Sequence, residues 1–207
     1  GKKPAYIGGF REDQFAFLEA YLPTVAKDRL LVLGMHIPLF EEAGGAETFR
    51  NPDRERLFAL LRNFPHVLIL SGHSHAQRHW YHDASTGWQG EQPLHEYNVG
   101  AACGAFWSGA KDAAGIPDAT MADGTPNGYA RLRVSDGGVY ALSWHPARNP
   151  DSAIGLHAPK VLRQGAYPAW GIYANVYMGD DGTRVEYRVD GGDWKPMKKV
   201  LQADPAL

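Results

Sequence analysis

The chain has little cysteine, no long hydrophobic run and no large charge of one sign, and each of these absences excludes something. Its 207 residues include one cysteine, Cys103, so no disulfide can form within the chain. No segment approaches the roughly 18 consecutive apolar residues that a membrane-spanning helix needs. The 21 basic and 23 acidic residues give a formal net charge of -2, which provides no electrostatic footprint for nucleic acid or for an anionic membrane surface.

The first third of the chain alternates helical and strand patterns. Four apolar residues at helical spacing predict an amphipathic helix: Phe15, Leu18, Leu22 and Val25. A second helix is predicted from Asn51, because Pro52 follows this capping residue and a leucine stripe follows Pro52. A continuous apolar run at 30–33 is typical of a strand buried on both faces, and the segment HVLILSG at 66–72 repeats this pattern. The order helix, strand, helix, strand indicates an α/β fold.

Beyond residue 76 the pattern changes to short aromatic strands separated by turn residues, including a hairpin turn at Ser135–Gly138. The stretch 104–127 has no periodicity, and so long a loop favours a functional role. Prolines and small residues at 145–159 predict a linker to a separate all-β module. We therefore predict two parts: a domain over 1–150, and the linker with the start of a small β domain over 151–207.

Histidines follow both predicted buried strands. His36 comes after the first strand, and Gly72 leads into His73 and His75 after the second. The carboxyl ends of parallel strands are where ligands bind in α/β sheets, so the three imidazoles are predicted to meet there. Gly72 is expected to allow a sharp turn as the chain leaves the strand. Imidazole binds zinc, manganese, iron, nickel and cobalt, and the residue types do not select among them.

These motifs, in this order, resemble the last two metal motifs of the calcineurin-like metallophosphoesterases. The segments HEYNVG and GIPDATMADGTPNGY and the trailing β module resemble the bacterial branch that carries an extra C-terminal domain. The resemblance implies a β-sandwich flanked by helices above a two-metal site. On this basis the chain is the C-terminal portion of such a protein: an α/β (layered α+β) second half of the sandwich, followed by part of a small all-β module.

The resemblance also implies a function and a ligand set. His36 and His73 would bind the second of two divalent or trivalent metal ions, and His75 the first, while an activated water attacks a phosphate ester. The family acts on phosphorylated small molecules, nucleotides and lipid-linked phosphates, so the substrate is left open. Likeness to this branch also favours a periplasmic or secreted location.

Three motifs of the family are missing from the 207 residues: Asp-x-His, Gly-Asp-x-x-Asp and Gly-Asn-His. Without a bridging carboxylate, the three histidines leave both metal sites short of ligands, so the chain alone is expected to be inactive. The expected partners are the missing N-terminal half or a second copy, which would pair with exposed sheet edges. The alternative is a non-catalytic binding or scaffold protein that retains the fold.

The long loop contains four candidates for substrate binding: Trp107, Asp123, Thr125 and Asn127. Aromatic and amide groups hold organic moieties and hydroxyls, so these side chains are candidates for a substrate wall. The alternative is a loop held only by turn chemistry. Arg78 is a further candidate, as a clamp for phosphate.

Overall fold

The structure, a computed structural model, divides the chain into two compact units. It describes residues 6–40, 47–107, 109–158 and 171–202. The first unit comprises Gly1–Ala101 and Arg131–Ser143, and the second comprises Ala102–Ala130 and Trp144–Leu207. Neither unit ends at residue 150, and the domain boundary given by the sequence stays a prediction.

The first unit opens with the predicted alternation of helices and strands: α1 (Glu12–Tyr21), β1 (Leu31–Gly34), α2 (Asn51–Leu61) and β2 (Val67–Ser71). α1 ends before Pro23, which lies in a 3-10 turn, because proline has no N–H to continue the helical hydrogen bonds. α2 carries Pro52 in its first turn, where the missing N–H costs nothing.

Two further strands complete a four-stranded sheet in the order β1-β2-β4-β3, with β3 at Arg78–His82 and β4 at Leu94–Asn98. β1, β2 and β4 run parallel, and β3 runs antiparallel to β4. The carboxyl ends of the three parallel strands therefore lie side by side at the same end of the sheet, where β3 begins.

The helices cover one face of this sheet. Phe15 of α1, Leu57 of α2 and Ile69 of β2 belong to one buried cluster. On the surface of the helices, Arg56 of α2 forms ion pairs with two glutamates of α1, Glu12 and Glu19. The helix order and the sheet confirm the predicted mixed α/β class.

β1 differs from the prediction of a strand buried on both faces. Its burial alternates, and Val32 is 43% exposed, whereas Leu31 and Leu33 pack against the helix-side cluster. β1 is an edge strand that pairs only with β2 among the described residues. The apolar run of β1 reflects one buried face, so the prediction of burial on both faces is wrong for this strand. The central strands β2 and β4 are the buried ones.

Ring side chains cover the other face of the sheet at β3 and β4. His79 Nδ1 lies 2.8 Å from His95 Nε2, and His95 Nδ1 lies 2.6 Å from the Tyr140 hydroxyl. His79 also stacks on Tyr97. Burial, and secondarily the charge of Tyr81, raises the pKa of Tyr140 to about 12. This chain of rings joins β3 and β4 to the segment Arg131–Ser143.

The remaining strands in the described part of the chain form three two-stranded sheets. Their bounds are β5 (Gly128–Val134), β6 (Tyr140–Pro146), β7 (Ile154–His157), β8 (Tyr173–Val176), β9 (Glu186–Tyr187) and β10 (Lys195–Pro196). β5 pairs with β6 through the predicted turn, where the Ser135 N–H donates to the Val139 carbonyl over 2.8 Å. β7, which falls in the predicted linker segment, pairs antiparallel with β8, and the linker itself stays a prediction.

α1 and α2 have 10 and 11 residues. Across the part of the chain that the structure describes, no helix combines the length and the hydrophobicity needed to cross a bilayer.

Candidate metal centre

Backbone hydrogen bonds join the two histidine-bearing loops at the carboxyl edge of the sheet. His36 lies two residues beyond β1, and His73 lies two residues beyond β2. The Met35 N–H donates to the Leu70 carbonyl over 2.9 Å, and the Gly72 N–H donates to the His36 carbonyl over 3.0 Å. The parallel pairing of β1 and β2 therefore continues past both strands and carries the two histidines to the same place.

The imidazole rings of His36 and His73 are in contact. His36 Nε2 lies 3.3 Å from His73 Nδ1, with the rings edge to face at 70° and their centroids 5.1 Å apart. Two nitrogens bound to one tetrahedral zinc ion, each at 2.0–2.1 Å, are separated by about 3.3 Å. The observed contact is a hydrogen bond between the two rings, and the same separation fits one metal ion held by His36 and His73.

His75 acts on His73 electrostatically. Burial is the main cause that lowers the pKa of His73, and the charges of His36 and His75 lower it further. A lowered pKa keeps His73 neutral, which is the form that binds metal. The three residues do not form one ligand cluster: no group of three or more His, Cys, Asp or Glu side chains able to hold a metal occurs among the described residues. The predicted convergence is seen for His36 and His73, and the role of His75 as a ligand stays a prediction.

The Gly-His-x-His turn is strained at its histidines. His73 has φ 75° and His75 has φ 52°, values in the left-handed region that favours glycine. Gly72 does not adopt a positive φ, and its contribution to the turn stays a prediction. Non-glycine residues in this conformation concentrate at functional sites, because the surrounding structure must offset their cost.

Tyr6 forms a hydrogen bond with the second ring nitrogen of His73. The Tyr6 hydroxyl lies 3.1 Å from His73 Nε2, and the two rings meet edge to face at 5.5 Å. Metal-binding histidines characteristically bond their other nitrogen to a polar group, which fixes the tautomer and the ring orientation. Sequence reasoning did not find Tyr6, because 67 residues separate it from His73 and no local pattern links them.

Buried polar residues of β4 lie behind the loops. Asn98 is fully buried, and its Nδ2 donates to the Gly72 carbonyl over 2.8 Å. Arg78 pairs with Asn98 across β3 and β4, and its guanidinium lies over the Phe40 ring at 5.2 Å. Sequence reasoning placed β4 but missed the role of Asn98. The available signal was a pair of polar residues two positions apart in a strand, Glu96 and Asn98.

The four candidate substrate residues lie in the second unit. The Trp107 side chain is 53% exposed, whereas Thr125 is 2% exposed. Asp123 Oδ1 accepts from the Thr125 N–H over 2.9 Å, and Asn127 Nδ2 donates to the Ala102 carbonyl over 3.0 Å. Local turn bonds thus order this part of the loop. Substrate binding by Trp107, Asp123, Thr125 and Asn127 stays a prediction.

Comparison with known proteins assigns the chain to a family. The model described as the C terminal of calcineurin-like phosphoesterase matches residues 96–207, more than half of the chain. Searches of curated proteins and of solved structures found no match. The match begins after His36, His73 and His75, so it supports the family independently of the metal motifs. The chain therefore belongs to the calcineurin-like phosphoesterases, of which it contains the C-terminal domain.

Proposed function

We propose that this chain is part of a metal-dependent phosphoester hydrolase and supplies nitrogen ligands to its metal centre. The observation that carries this proposal is the 3.3 Å separation of His36 Nε2 and His73 Nδ1. His36 and His73 would hold one metal ion, and His75 would hold a second. The family match supports the reaction class, because phosphoesterases of this kind cleave phosphate esters.

The chain's own residues would bind and orient the metal ions. When bound, a pair of metal ions activates a water molecule and neutralises the phosphoryl oxygens of the substrate. His36 and His73 contribute neutral nitrogen donors, and Tyr6 holds the ring of His73 from its other side. Zinc, manganese, iron, nickel and cobalt all accept such donors. Because protonated imidazole cannot bind metal, affinity should fall in acid.

Further ligands must come from elsewhere for a two-metal centre to form. The printed sequence contains none of the motifs Asp-x-His, Gly-Asp-x-x-Asp and Gly-Asn-His. In this proposal a separate N-terminal half, or a second copy of the chain, brings the missing carboxylates. We expect the isolated chain to bind metal without hydrolysing phosphate esters.

The substrate is proposed only as a class: a phosphorylated small molecule, a nucleotide or a lipid-linked phosphate.

Two observations favour a second candidate function, a non-catalytic binding or scaffold protein. No ligand group of three or more side chains is formed by the described residues, and the carboxylate motifs are missing from the sequence. The genomic sequence upstream of the codon for Gly1 distinguishes the two candidates. Asp-x-His and Gly-Asn-His motifs in the same reading frame would support the hydrolase, and a start codon immediately before Gly1 would support the scaffold.

A cobalt titration tests the ligand assignment. Co²⁺ is added to the wild-type chain and to His36→Ala, His73→Ala and His66→Ala, and binding is followed by visible absorption. His66 is the matched control, because it precedes β2 at the end of the strand opposite to His73. We expect wild type and H66A to bind alike and the other two variants to bind at least about tenfold more weakly. Equal binding by all four proteins would overturn the assignment.

A further inference from the structure

The carboxylate of Glu96 contacts both histidine-bearing loops from inside the core. Its Oε1 accepts from the Ser71 hydroxyl over 2.6 Å and from the Leu39 N–H over 3.1 Å. Ser71 lies two residues before His73, and Leu39 lies three residues after His36. Oε1 of Glu96 therefore bonds both to the segment that carries His73 and to the segment that carries His36.

The other oxygen of Glu96 is bonded away from the loops. Glu96 Oε2 accepts from His82 Nε2 over 2.8 Å, and the ring of His82 meets Phe58 of α2 edge to face. Glu96 and His82 are both fully buried. The two oxygens thus have separate tasks: Oε1 ties the loops together, and Oε2 ties β3 to β4 beneath the helices.

A carboxylate suits this position because an ionised carboxylate only accepts hydrogen bonds and has room for about four. Three donors converge on Glu96 from three different segments, and the short bond to Ser71 is of the charge-assisted kind. Both bonds that reach the loops end on the same atom, Oε1 of Glu96, so one buried oxygen connects the Ser71 hydroxyl with the Leu39 backbone. It can therefore hold the two loops at a fixed separation.

On these grounds we infer that Glu96 is a positioning residue, which sets the spacing of His36 and His73 by bonding to Ser71 and to the Leu39 backbone. This inference rests on the proposed function, since the spacing matters only if the two imidazoles share a metal ion. Groups that orient metal ligands change metal affinity by about 10- to 100-fold when they are removed.

Variants of the separate bonds test the inference. Ser71→Ala removes the hydroxyl that donates to Glu96, and Glu96→Leu removes the carboxylate that accepts from both loops. His82→Leu removes a buried bond of Glu96 that reaches neither loop. Glu96→Gln is the conservative variant, because its amide oxygen can still accept from Ser71 and Leu39. Each protein is assayed for Co²⁺ affinity by visible absorption and for thermal stability.

We expect S71A and E96L to bind Co²⁺ about tenfold more weakly than wild type. H82L should lose thermal stability while it retains wild-type Co²⁺ affinity, and E96Q should recover most of the affinity that E96L loses. A S71A variant that binds Co²⁺ as wild type does, or a loss in H82L equal to that in S71A, would overturn the inference.

Amide hydrogen exchange of the metal-free chain separates this inference from the proposed function. The Gly72 N–H donates to the His36 carbonyl and reports directly on the contact between the loops. Relative to the core amides of β2, Gly72 should exchange faster in S71A than in H82L. Equal relative rates would contradict the positioning role even if no variant bound metal, whereas a wild-type chain that binds no Co²⁺ would contradict the proposed function alone.

Discussion

At the scale of single residues, the account depends on how the neighbours of His73 keep its imidazole uncharged. Burial and the charges of His36 and His75 all lower the pKa of His73. As the pH falls, His73 is protonated near its usual pKa of 6.5 in the unfolded chain and only at lower pH in the folded chain. His73 therefore reduces the free energy of unfolding as the pH falls below that value, and it has no such effect at higher pH.

Removing His75 should raise the pKa of His73. The substitution His75→Ala deletes one of the two charges that oppose protonation, while the burial of His73 is retained. An NMR titration of the imidazole protons measures the midpoint in wild type and in H75A, with His66→Ala as the control that leaves His73 unchanged. A lower His73 midpoint in H75A than in wild type would show that His75 does not act on His73 as described.

The backbone strain at His73 gives a second residue-level test. Glycine adopts a positive φ without steric cost, whereas alanine does not. We expect His73→Gly to have a free energy of unfolding about 1 kcal/mol higher than His73→Ala, although both lack the imidazole. Chemical denaturation of the two variants measures this difference. The reverse order would indicate that position 73 is not held in the left-handed conformation.

At the scale of elements, much of the first unit could be predicted from the sequence. Apolar periodicity and Pro52 located the two helices, and apolar runs located β1 and β2. These signals are local, since they depend on side chains a few residues apart. The prediction that β1 is buried on both faces was wrong, because an apolar run does not show whether a strand lies at the centre or at the edge of a sheet.

The candidate site was predictable only in part, for the same physical reason. The strand ends placed His36 and His73 at one edge of a parallel sheet, and the structure shows their nitrogens 3.3 Å apart. The contacts of Tyr6 and Glu96 connect positions far apart in the chain and leave no periodic pattern. Buried polar residues such as Glu96 are found only when their donors are known, because a strand with alternating polar residues also fits a solvated face.

At the scale of the whole molecule, the edge strand β1 and the exposed Val32 lead to a prediction about association. An edge strand with exposed apolar side chains is a site for pairing with another chain. We expect the weight-average mass from light scattering to rise with concentration, and Val32→Lys to reduce that rise because a charge blocks edge pairing. Val139→Lys is a matched control, since Val139 is an exposed valine outside β1. A mass that stays monomeric at every concentration would contradict association through β1.

The most direct test of the shared metal site is to observe the ring nitrogens of His36 and His73 during a zinc titration. Long-range ¹⁵N NMR of the imidazoles resolves Nδ1 from Nε2 in each ring. We expect His36 Nε2 and His73 Nδ1 to shift together at the same zinc concentration, while the ring nitrogens of His66 do not move. Shifts of the two nitrogens at different zinc concentrations, or no shift of either, would contradict a metal ion shared between them.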